Sequence, residues 1–142
     1  MEELHISWLA IAVAVVANFF VGYLWYGPLF GKAWAKEKGY DMSVKPQASV
    51  MIRGMSFMII GNFFMAYVFA HNMAAWSFVP GADAMSATES ILSAAIFTCL
   101  GFYVPVELSN VAWSRHSWKL FGINTVYHLM TLLVASVVLT YL

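Results

Sequence analysis

The sequence predicts an all-α polytopic membrane protein, a four-transmembrane-helix bundle with a short interfacial helix after the first span. Three observations carry this. Of 142 residues, 62% are hydrophobic and 10% charged, well outside the balance of soluble domains. Four apolar stretches, residues 6–26, 48–70, 87–110 and 120–142, each reach the roughly 20 residues that a helix needs to cross a bilayer. Finally, the seven basic residues, Lys32, Lys36, Lys38, Lys45, Arg53, Arg115 and Lys119, all lie in or beside the first and third connections. The spans use up most of the chain, so residues 1–142 read as a single integral membrane domain.

Span one opens behind Glu2 and Glu3, acidic where a cleavable signal sequence carries positive charge, and so reads as a permanent span. Counting Lys and Arg near the span ends puts connections one and three in the cytoplasm and both termini outside. At the end of span one, Trp25 and Tyr26 fall at the depth where amphipathic rings concentrate, and Gly27-Pro28 is expected to bend the chain there. Beyond it Leu29, Phe30, Ala33 and Trp34 share one side, with Lys32, Lys36 and Lys38 largely on the other. That pattern predicts an interfacial helix over residues 29–38. Trp25, Tyr26, Pro28, Lys32 and Trp34 are read as an anchor fixing the depth of the span, the ordinary role of such belts.

Span two has Ser43 as a candidate early cap and Pro46 in its first turn. Met51, Met55, Met58 and Met65 stripe it; thioethers can carry Cu(I), but with no Cys pair or His cluster the stripe reads as packing. Gly54 and Gly61, with Ala14, Ala17 and Gly22 of span one, are expected to permit close helix contact. The loop of residues 71–86 turns at Pro80-Gly81, and Ser86-x-x-Glu89 has capping-box spacing, starting span three near Ala87. In the third connection Trp113 and Trp118 bracket Arg115 and His116.

The run LWYGPLFGKAW, residues 24–34, followed by three more spans, resembles a family of small bacterial membrane proteins catalogued as a domain of unknown function. LFGINTVYHL, residues 120–129, resembles the opening of that family's last span. The resemblance implies a four-span protein of the bacterial inner membrane and supplies no activity, cofactor or catalytic residue.

Polar side chains within spans are costly and by default face the bundle interior or a watery cavity. Those found are Asn18, Arg53, Asn62, Glu107, Asn110, Asn124 and His128. Glu107 lies shortly before the third connection and His128 about two turns after it, so their depths agree within roughly a turn and they can pair. Tyr103, Glu107 and Asn110 make one polar stripe on span three; Asn124, His128, Thr131 and Ala135 make another on span four. Two such stripes facing each other form a seam able to bind a small polar ligand or relay protons, since histidine titrates near neutrality. The competing reading has Glu107 reaching toward Arg53 or Arg115 at the interface and His128 hydrogen-bonded between helices.

Asn18-Phe-Phe-Val-Gly-Tyr23 and Asn62-Phe-Phe-Met-Ala-Tyr67 share a spacing that reads either as an inverted repeat or, the favoured reading in a chain with 11 Phe, as coincidence, and both asparagines are expected to hydrogen-bond between helices. Cys99, the one cysteine, excludes an intramolecular disulfide and a CxxC site. His5, His71, His116 and His128 give no evident same-depth pair for a haem, and no hydrolase, zinc, nucleotide or dinucleotide motif occurs. Neither cofactor nor metal is called for, enzymatic activity ranks last, and zero net charge argues against nucleic acid. The expected partners are the bilayer, further copies of the chain, and an unidentified small ligand. Two functions remain: binding or conducting a small solute or proton through the seam, or a non-catalytic structural or partner-binding role.

Overall fold

The computed structural model describes residues 5–142, which form helices joined by short turns. Helix α1 (Trp8–Leu24) continues through a π-turn (Trp25–Leu29), and α2 (Gly31–Lys38) follows. After α3 (Ala48–Trp76) comes α4 (Ala87–Thr98), which runs through a second π-turn (Cys99–Tyr103) into α5 (Val104–Trp113); α6 (Trp118–Tyr141) closes the chain. Four helical segments are long and apolar enough to cross a membrane: Trp8–Leu29, Ala48–Trp76, Ala87–Trp113 and Trp118–Tyr141. The leading acidic residues Glu2 and Glu3 lie outside the described residues.

Serine caps start three of the helices. Ser7 accepts from the Ala10 N–H at 3.1 Å and Ser117 from the Leu120 N–H at 3.1 Å, while Ser86 and Glu89 form the full capping box expected of them. Span two differs. Its helix begins only after Pro46, with Gln47 as cap, and Ser43 turns back on Asp41 instead. The Ser43 hydroxyl (2.7 Å) and N–H (2.9 Å) donate to Asp41 Oδ1, holding that carboxyl below its usual range. At its other end α3 runs to Trp76, because Asn-Met-Ala-Ala offers no breaker. His71, expected in the loop, is therefore helical, and the reversal waits for Gly81 at φ 89°.

Helices α1 and α6 form the central pair; α3 packs chiefly on α1, and α4 and α5 on α6. Their shared core is made of Ile11, Ala14, Ala66, Phe69, Ala95 and Leu132. Small side chains bring the helices close, while large ones such as Phe20, Phe64, Phe97 and Phe102 point outward, the arrangement a hydrocarbon solvent favours. Of the glycines expected at contacts, only Gly22 serves. An added Cβ there would meet Met58 Cε and come 3.1 Å from the Tyr127 hydroxyl, whereas Gly54 and Gly61 face open space. The first ten residues of α3 are exposed, Met51 and Met55 among them, and only Met58 and Met65 of the stripe are half-buried.

Candidate functional site

The end of the bundle that carries the basic connections is where polar chemistry gathers. Pro28 lacks an N–H to continue the α-helix, and Phe30 N–H donates instead to Trp25 O at 2.8 Å, a bond one residue longer than the α pattern. Gly27-Pro28 thus widens span one by a π-turn where a bend was expected, and the chain turns at Phe30. Gly31 makes the return possible, since a Cβ there would stand 2.5 Å from the Tyr26 carbonyl oxygen.

This geometry changes the reading of Trp25 and Tyr26. Both are half-buried against α6. The Trp25 indole N–H donates to Ile123 O at 3.1 Å, and the Tyr26 hydroxyl donates to Asn124 Oδ1 at 3.0 Å. The expected anchor is, at these two residues, a clamp on span four. Tyr26 also stands edge-on to Tyr127, with ring centroids 4.8 Å apart.

From Asn124 the network continues inward. Its Nδ2 donates to Glu107 Oε2 at 3.3 Å, and His128 Nε2 lies 3.6 Å from Glu107 Oε1, within ionic range but long for a hydrogen bond. Glu107 is only 6% exposed. Tyr103 stacks on the His128 ring at 4.3 Å, one turn before Glu107 on the other side of the seam. The second π-turn sets this up: Val104 N–H reaches back to Cys99 O, so Pro105 enters α5 without facing a regular turn. Cys99 itself is buried, its Sγ 3.9 Å from Thr125 O.

Tyr103, Glu107, Asn124 and His128, placed together by sequence spacing, are thus in contact. Two others are not part of the network. Thr131 turns its hydroxyl onto His128 O in its own helix at 2.9 Å, and Asn110 contributes through its carbonyl, which accepts from Ser114 N–H at 3.0 Å and His116 N–H at 3.2 Å. Asn18 and Asn62 are buried, but the Asn18 amide has no hydrogen-bond partner among the described residues, so the expected interhelical bond is not made. Spacing missed Tyr26. A signal was present, since Tyr26-x-Pro28 and Tyr103-x-Pro105 are the same pattern at the same end of spans one and three.

The interfacial helix is also more firmly held than expected. Its buried positions are Gly31 and Ala35, with Leu29 and Lys32 exposed, and Trp34 packs between Tyr26 (5.6 Å) and Tyr40 (5.4 Å). The Ser117 hydroxyl donates to Glu37 Oε2, and Lys38 Nζ lies 3.5 Å from His116 Nε2. A carboxylate at the α6 N-terminus also suits the helix dipole. Helix α2 is consequently latched to the start of span four.

The site offers a carboxylate, an imidazole, a primary amide and two phenols in contact, within a bundle whose other buried side chains are mostly apolar. Four bilayer-length helices, three of which meet at this cluster, fit a helical, membrane-spanning type of protein with a polar site between spans one, three and four. The chain belongs to the family described as protein of unknown function (DUF1761), whose model matches residues 9–140, which takes in all but the outermost residue of the first and last spans and every residue of the network. No curated protein and no solved structure matches it.

Proposed function

We propose that the protein lies in the bacterial cytoplasmic membrane as a homo-oligomer, with connections one and three inside and both termini outside. There the Glu107–His128 pair takes up and releases a proton at the cytoplasmic end of the bundle, as part of conducting a proton or small polar solute. The burial of Glu107 carries this reading. Removing a carboxylate from water costs several kcal/mol even after relaxation, and intramembrane ionisable groups by default mark ion or substrate pathways. An imidazole beside that carboxylate supplies a second group able to hold or release a proton. No cofactor or covalent step is needed.

Acid-pulsed proteoliposomes holding a pH-sensitive dye test it. Wild-type protein is expected to speed internal acidification over protein-free vesicles, and Glu107→Gln, which keeps the shape and an acceptor for Asn124, to abolish the gain. Wild-type vesicles as tight as empty ones would sink the proton reading and favour the second function, a structural or partner-binding membrane protein. One observation supports that alternative: the same bonds tie α1, α5 and α6 together. The orientation is tested with Cys99, which is buried, replaced by serine and single cysteines placed at Lys45 or Asp83. A membrane-impermeant maleimide on intact cells is expected to label only Asp83→Cys; labelling of Lys45→Cys alone would reverse the topology.

A further inference from the structure

We infer that the end of α2 and the connection between α5 and α6 form a headgroup site for an anionic phospholipid, held by Lys38, Arg115 and Lys119. The inference depends neither on proton uptake by Glu107 nor on which side of the membrane this end faces. Charge is its first support. All seven basic residues of the chain lie at this end of the bundle, against three of the seven acidic ones, Glu37, Asp41 and Glu107. Glu107 is buried, and Glu37 and Asp41 each accept a serine hydroxyl. Lys38, Arg115 and Lys119 are exposed and form no ion pair among the described residues.

The fold brings these three together. Lys38 is the last residue of α2, and its Nζ lies 3.5 Å from His116 Nε2 while the neighbouring Glu37 accepts the Ser117 hydroxyl. Arg115 immediately precedes His116, and Lys119 follows the Ser117 cap in the first turn of α6. Three cationic side chains therefore rise from the few residues around one contact.

Depth favours a lipid over a soluble anion. Trp113 and Trp118 bracket Arg115 and are 85% and 67% exposed. Exposed indoles of a membrane-spanning protein concentrate at the headgroup level, so the charges between them lie among lipid phosphates rather than beyond them. A basic cluster beside a span end is attracted to anionic lipid at that depth.

Backbone geometry points the same way. Helix α5 ends with the Ser114 and His116 N–H groups both donating to Asn110 O, at 3.0 and 3.2 Å, and the chain reverses through Arg115 at φ 55°. Among the described residues it is the one non-glycine at positive φ, a conformation that glycine adopts freely and a side chain resists. Glycine would make this turn at lower cost. What the arginine adds is a guanidinium held at the headgroup level.

Native mass spectrometry of the full chain in a neutral detergent tests the inference, with phosphatidylglycerol and phosphatidylcholine as the two lipids. The wild type is expected to retain phosphatidylglycerol in preference. Arg115→Gly should weaken that binding about fivefold, the worth of one basic residue near an anionic surface, while its unfolding midpoint in lipid-free detergent stays the same or rises. Lys119→Gln, which shortens an exposed side chain, carries the same expected loss. Lys45→Gln removes the same charge from the linker to α3 and should bind as the wild type does. Equal retention of the two lipids, wild-type binding by Arg115→Gly or Lys119→Gln, an equal loss in Lys45→Gln, or a lowered midpoint in Arg115→Gly would each overturn the inference. So would displacement of phosphatidylglycerol by inorganic phosphate, which would make the ligand a soluble anion.

Discussion

Glu107→Ala is expected to destabilise the protein by about 1–3 kcal/mol, the usual cost of leaving hydrogen-bonding groups inside the fold without their partner. The loss is large because the partners cannot leave. Asn124 Nδ2 and His128 Nε2 are positioned by α6 to face the carboxylate, and without it both stay half-buried and lose that acceptor. The effect extends to span one, since the Tyr26 hydroxyl is held by the same Asn124 amide. Replacing Glu107 and His128 together by leucine is expected to recover much of the loss, because a buried pair is often no more stabilising than well-packed apolar groups. Reversible unfolding in mixed detergent micelles measures both. A cost below about 1 kcal/mol for Glu107→Ala would mean that the carboxylate is solvated, as an interfacial one is.

Gly31→Ala is expected to cost about 1–3 kcal/mol, the range for overpacking a tight site. The new methyl would stand 2.5 Å from the Tyr26 carbonyl oxygen and 3.1 Å from its carbon, and these are backbone atoms that cannot swing aside. Opening the π-turn to relieve the clash shifts Tyr26 away from Asn124. The distinguishing measurement is a double-mutant cycle. Tyr26→Phe alone should cost about 1 kcal/mol for the lost hydrogen bond, and close to nothing when Gly31→Ala is already present. Full additivity would show that the turn does not position Tyr26. Gly27→Ala is the control, since nothing lies within 4 Å of its added Cβ and it should be tolerated.

The two substitutions separate what local pattern could reveal from what it could not. Glu107 and His128 were legible because each lies a countable number of residues from the same connection, and helical rise converts that count into depth. The stripe rule correctly grouped Tyr103 with Glu107, and Asn124 with His128. It failed for Thr131, because a hydroxyl near its own helix carbonyls can satisfy itself there, and the sequence does not say which acceptor wins. Gly54 and Gly61 failed for a related reason: small residues permit close approach but do not require a neighbour.

By itself the sequence determined that the chain is all-α, where its four long apolar helices lie, and where most of them start. Those properties depend on hydropathy, capping residues and breakers, whose effects reach only a few residues along the chain. The tertiary structure decided what the motif around Pro28 does. Tyr26 and Asn124 are 98 residues apart, and their hydrogen bond depends on a π-turn that rotates the ring inward and on α1 and α6 packing side by side. It also decided which amides inside the bundle find partners: the Asn124 amide is satisfied from two helices, the Asn18 amide by none among the described residues. Local composition sets the cost of burying a polar group, whereas the partner that offsets the cost is supplied by a distant part of the chain.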